Sequence, residues 1–91
     1  MSLSWPSKDP GEVLDYQIDW SALLDGDTID SSTFDVLSGS VVVDSSSIDN
    51  VTTTVWLSGG TLNETCTVEN TIETVIGRTF QQSVRLRIRE R

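Results

Sequence analysis

Val51-Thr52-Thr53-Thr54-Val55-Trp56-Leu57, then Ser58-Gly59-Gly60, then Thr61 to Thr74 is the stretch whose reading decides the fold class. β-branched and aromatic residues fill both runs, and Gly-Gly between them supplies the positive φ that other residues reach only under strain. The stretch therefore predicts a long strand, a tight turn and a second long strand. Trp56, the largest side chain in the middle of the chain, is expected to centre the core. In the second run Cys66, Val68, Asn70 and Ile72 share one face, and Thr65, Thr67, Glu69 and Thr71 share the other. Cys66 on that inward row reads as a small buried hydrophobe rather than a nucleophile.

Working outward, Glu12 to Leu24 alternates cleanly. Leu14, Tyr16, Ile18 and Trp20 fall on one face, and Asp15, Gln17 and Asp19 on the other, which predicts a first strand. Asp25-Gly26-Asp27 turns the chain. Thr28 to Val36 is a second strand, with Ile29 and Phe34 out of phase unless a bulge near Ser31-Ser32 brings both inward. Leu37-Ser38-Gly39 is expected as a loop. Ser40 to Asp44 is a short strand, Ser45-Ser46-Ser47 a connector, and Ile48 is expected to tuck under it. Thr79 to Glu90 is the most regular strand: Val84, Leu86 and Ile88 point in, and Arg85, Arg87 and Arg89 point out. Six or seven short strands with turns every eight to fourteen residues predict an all-β fold. The spacing fits a single immunoglobulin-like antiparallel β-sandwich, with a barrel as the alternative. Residues 12–91 form that domain. Residues 1–11 read as an extended N-terminal arm, because Pro6 and Pro10 disfavour helix and ladder pairing and Asp9-Pro10-Gly11 is turn chemistry.

The chain is 91 residues long with a net charge of −8. The charge is segregated: residues 1–77 carry thirteen acids and Lys8, and residues 78–91 carry five arginines and Glu90, giving −12 and +4. An acidic body disfavours nucleic acid as the main partner, since phosphate contacts need a broad positive face. It suits head-to-tail association, in which one subunit's basic strand meets the next subunit's acidic face. Arg85, Arg87 and Arg89 are the expected docking row; their bland reading is a charged edge strand that discourages stray pairing. Lys8 and Trp5, both in the arm, are the other expected partner contacts. Trp5 either caps the sandwich or anchors the arm to a neighbour.

The chain has no His, which removes the usual base and commonest metal ligand, and its one cysteine excludes an internal disulfide. No acid pair stands out as a catalytic dyad, no His activates the serines, and no glycine-rich loop leads into a helix. Asp25-Gly26-Asp27 with Asp30 offers too few oxygens for calcium. We expect no enzyme and no cofactor. Asn50-Val51-Thr52 and Asn63-Glu64-Thr65 match the glycosylation pattern, but no secretory signal is apparent and no apolar run approaches the roughly 20 residues of a membrane span.

Lys8-Asp9-Pro10-Gly11-Glu12-Val13-Leu14-Asp15-Tyr16-Gln17-Ile18-Asp19-Trp20, Asp27-Thr28-Ile29, Thr54-Val55-Trp56-Leu57-Ser58-Gly59-Gly60-Thr61, Asn70-Thr71-Ile72 and Gly77-Arg78-Thr79 together are similar to a family of small tailed-bacteriophage virion proteins described as fibre–tail adaptors with an immunoglobulin-like look. The resemblance runs from about Lys8 to Arg89. Cys66 departs from it, standing where an aromatic is expected, and Val41–Asn50 has no counterpart. It implies a structural subunit, made in the host cytoplasm and carried in the virion at the tail or neck. Several copies would contact other tail, neck or fibre proteins, with no membrane. The competing readings are a capsid decoration protein on the head and a small immunoglobulin-like surface-binding module. The latter would need exposed aromatics, which the strand phases place mostly inward.

Overall fold

The computed structural model describes residues 3–90. Seven strands run β1 (Leu3–Lys8), β2 (Leu14–Asp19), β3 (Ile29–Ser38), β4 (Val41–Ile48), β5 (Thr52–Gly59), β6 (Thr65–Thr74) and β7 (Thr79–Ile88), with one helical turn α1 (Ser21–Leu24). They form two sheets, one of four strands in the order β1-β7-β6-β3 and one of three in the order β2-β5-β4. The grouping is that of an immunoglobulin-type sandwich, except that the first strand lies beside the last. All pairs are antiparallel but β1–β7, which is parallel.

Alternation drives the layering. Val55 and Leu57 of β5 face Cys66, Val68 and Ile72 of β6 and Val84, Leu86 and Ile88 of β7, all fully buried. Each row is one face of a strand, so two sheets must stack to cover both. This corrects the expected central hairpin. β5 and β6 do not pair: β5 lies between β2 and β4, and β6 between β3 and β7. Gly59 and Gly60 carry the chain from one sheet to the other rather than back along the same one. Gly60 has φ +102°, and a Cβ there would sit 2.8 Å from the Ile88 Cδ1. Trp56 is likewise not the core's centre. It stands between buried Val55 and Leu57, so the same alternation points it outward, 43% exposed.

Trp20 takes the central place, 2% exposed. Its indole N–H donates to Thr53 Oγ1 (3.2 Å) and Asn70 Oδ1 (3.1 Å). The Thr53 hydroxyl donates to the same Asn70 oxygen (2.7 Å), and Asn70 Nδ2 donates to Ser32 Oγ (2.9 Å) and the Thr33 carbonyl (3.0 Å). One amide thus ties both sheets together with its donors and acceptor paired.

Other expectations meet mixed outcomes. Ile29 and Phe34 are both buried, and the β3–β6 register slips between Ile29 and Ser31, as the predicted bulge requires. Leu37 and Ser38 extend β3 rather than forming a loop. Ser45-Ser46-Ser47 belongs to β4, because pairing with β5 supplies the ladder that serine propensity alone does not. Ile48 is exposed instead of tucked. The segment read as an arm is strand β1 from Leu3 on; Met1 and Ser2 lie outside the described residues. Pro6 is accommodated because β1 is an edge strand and its register with β7 shifts between Trp5 and Lys8.

Candidate functional site

The strands give the sandwich two outer faces of different chemistry. Arg85 and Arg87 on β7 and Arg89 just past its end are exposed, as their alternation with Val84, Leu86 and Ile88 dictates. Yet β7 is not an edge: it lies between β1 and β6. Blocking stray edge pairing therefore does not account for the arginines. Directly opposite Arg85 stand Ser4 and Thr67, and opposite Arg87 stands Thr65. Arg87 donates to Thr65 Oγ1 at 3.3 Å. Arg85 and Arg87 thus have hydroxyl side chains directly across the ladder, while Glu69 lies one pair along on the same face, opposite Ser83.

The other two expected contact residues are placed differently. Lys8 is fully buried. Its β1 position points it between the sheets, where Nζ donates to the Asp9 carbonyl (2.8 Å) and the Gly59 carbonyl (2.7 Å). Burial lowers its pKa, against the raising influence of Glu12 and Asp9. Lys8 pins the β5–β6 crossover and does not present its charge outward. Trp5 is half-buried. Its ring stacks on Tyr16 at 4.9 Å with 21° between planes. Its N–H donates to the Gln17 carbonyl (3.1 Å), while the Tyr16 hydroxyl donates to the Pro6 carbonyl (3.1 Å). These two reciprocal bonds latch edge strand β1 to edge strand β2. These contacts fit the cap, one of the two roles open to Trp5.

The outer face of the three-stranded sheet was missed by sequence reasoning, because Trp56 was assigned inward. There Asp15 of β2 and Ser45 of β4 lie directly opposite Trp56, Gln17 lies opposite Thr54, and Asp19 opposite Thr52. Ser58 Oγ donates to Asp44 Oδ1 at 3.0 Å on the same sheet. No lysine or arginine occurs in β2, β4 or β5. The pairing of Trp56 with Val55 and Leu57 was the available signal: three consecutive large apolar residues in a strand cannot all face one side.

The loops beside α1 hold a buried carboxylate. Asp27 is 4% exposed and accepts from the backbone N–H of Thr28 (2.8 Å) and Ile76 (3.3 Å). Burial raises its pKa, but the nearby Thr74 hydroxyl, the Thr28 and Ile76 N–H groups and the Arg78 charge outweigh it and hold the carboxyl below its usual range, while Oδ2 has no hydrogen-bond partner among the described residues. The Asp27–Thr28 and Thr74–Ile76 loops are thereby joined, with Val75 N–H donating to the Thr28 carbonyl (2.9 Å). Asp27 is structural, as a turn motif implies. Cys66 is fully buried, and burial pushes its thiol pKa up, the opposite of an activated nucleophile. No group of three metal-ligating side chains converges among the described residues.

These features amount to a sandwich with a basic strip on one face and an acidic, tryptophan-bearing surface on the other. No curated protein matches the chain. The model of one family, described as podophage GP4 fiber-tail adaptor protein gp77, matches residues 8–87. That span takes in β2 to β7 almost entirely, so the chain belongs to the podophage fiber-tail adaptor family.

Proposed function

We propose that this chain is a structural subunit of the virion that joins the tail to a fibre through protein–protein contacts, and that Arg85, Arg87 and Arg89 form its docking row. The family match over residues 8–87 carries the reading. It supports a tail-associated, structural role in place of capsid decoration or a free-standing surface-binding module. The geometry agrees: the arginines alternate with buried residues and are exposed, and Arg85 and Arg87 have no carboxylate directly opposite. A neighbour offering an acidic surface gains charge-assisted, bidentate contacts there. The chain is made in the host cytoplasm and joins the particle during assembly. Trp5 and Lys8 serve from within, holding β1 in place beside the docking row.

The test is a phage carrying Arg85→Glu and Arg87→Glu. Both side chains are exposed, so the domain is expected to fold while the docking face changes sign. Quantitative mass spectrometry of purified particles should show the protein and its fibre depleted together. Full incorporation of both would overturn the docking row.

A further inference from the structure

The two outer faces of this sandwich fit each other. On the three-stranded sheet, Asp15 and Asp19 lie four residues apart on β2, a rise of about 13 Å, and Trp56 stands directly beside Asp15. On the four-stranded sheet, Arg85 and Arg87 lie two residues apart on β7, a rise of about 7 Å, and Arg89 follows one residue past the end of the strand. Both rows are exposed; Asp15 and Asp19 pair with β5, and Arg85 and Arg87 with β6, in regular antiparallel register, so the spacing within each of these pairs is fixed by the backbone. One face has no cation and the other presents a run of three.

We infer that the acidic face around Asp15, Asp19 and Trp56 is a binding site for the arginine row of a second copy of this chain. A guanidinium laid between Asp15 and Trp56 gains a carboxylate partner and an aromatic face together, a combination suited to arginine. Trp56, 43% exposed, with exposed Val42 on the neighbouring strand of the same face, is the kind of large rigid side chain that dominates such contacts. The two faces lie on opposite sides of one domain, so the contact is heterologous: each copy uses one face to give and the other to receive. Repetition closes into a ring or extends into a stack. The inference rests on the proposed docking role of Arg85, Arg87 and Arg89, and names the partner as the chain itself.

Sedimentation of the purified full chain, with two complementary variants, tests it. Asp15→Ser with Trp56→Ala removes the acidic face; Arg85→Ser with Arg87→Ser removes the basic one. All four side chains are solvent-facing, and circular dichroism verifies folding. The wild type should self-associate with rising concentration up to about 1 mM, and each variant alone should associate at least about tenfold more weakly. An equimolar mixture of the two variants retains one good face of each kind. It should form a species that stops at two chains. A wild type that stays monomeric throughout, a variant that associates as the wild type does, or a mixture that stays monomeric would each overturn the inference. The adaptor reading fails on different ground, by absence of the chain from the tail. If the isolated chain stays monomeric while Trp56→Ala blocks incorporation into particles, the acidic face takes another protein: the adaptor reading stands and the self-contact does not.

Discussion

Replacing Asn70 with alanine should cost more stability than any other single polar substitution in the core. Asn70 Oδ1 accepts from both Trp20 Nε1 (3.1 Å) and the Thr53 hydroxyl (2.7 Å), and all three groups are buried. In Asn70→Ala the indole N–H keeps Thr53 Oγ1 as an acceptor, at 3.2 Å, but the Thr53 hydroxyl loses its own. Stranding one buried hydroxyl costs about 1–3 kcal/mol. The vacated amide volume and the lost bond to the Thr33 carbonyl add roughly another 1 kcal/mol. The expected loss is about 3 kcal/mol, against a total stability on the order of 5–14 kcal/mol for a chain of this length. In Thr53→Val, by contrast, Trp20 and Asn70 stay bonded to each other, so the cost should be only about 1 kcal/mol. Urea denaturation followed by tryptophan fluorescence reads both. With a slope of about 1–1.5 kcal/mol/M, Asn70→Ala should lower the midpoint by roughly 2–3 M. A loss below about 1 kcal/mol for Asn70→Ala, or a larger loss for Thr53→Val, would refute the view that this amide joins the sheets.

Three further outcomes follow from the same geometry. Gly39 has φ +97° and its missing Cβ would fall onto the Cys66 side chain, so Gly39→Ala should destabilise by about 2 kcal/mol or more in thermal melts, whereas Gly77→Ala, in open space, should pay only for its φ of +107°. The folded-state pKa of Asp27 is depressed, so its contribution to stability is present above the unfolded carboxyl pKa and is lost as pH falls through and below about 4; Asp27→Asn should lower stability at pH 7 and flatten that acid-side decline, measured as the melting temperature against pH. Trp5→Ala removes the stack on Tyr16 and the bond to Gln17, and should destabilise by about 2 kcal/mol while exposing β1 to faster amide hydrogen exchange than β6.

Wherever period-two alternation was unbroken, the sequence was enough. The inward rows of β2, β6 and β7 and the outward arginines lie where their spacing places them, because a strand leaves each side chain only two directions. The bulge that brings Ile29 and Phe34 to one side was also legible, since two large apolar residues out of phase demand one. What failed was pairing. Gly59-Gly60 satisfies a hairpin turn and a sheet-to-sheet crossover equally well, and only the stacking of two layers decides between them. Trp56 was misplaced by size: large apolar residues favour the core, but Val55 and Leu57 had already claimed the inward side of β5. Lys8 was misplaced by charge, since two carbonyls, at the crossover and beside it, supply acceptors that no local pattern announces. Pro6 likewise suggested an unpaired arm, and an edge strand with a register shift accepts it. The exposed arginine row was thus readable from the last stretch of sequence alone, while the acidic face opposite it emerged only once β2, β4 and β5 were assembled.

The central claim, a tail-associated adaptor docked through its arginine strand, is tested most directly by cryo-electron microscopy of the phage particle that carries this protein. The account predicts sandwich-shaped density between tail and fibre, with Arg85, Arg87 and Arg89 covered by an acidic surface. Density spread over the capsid shell, or a copy at the tail whose arginine face is bare to solvent, would contradict it.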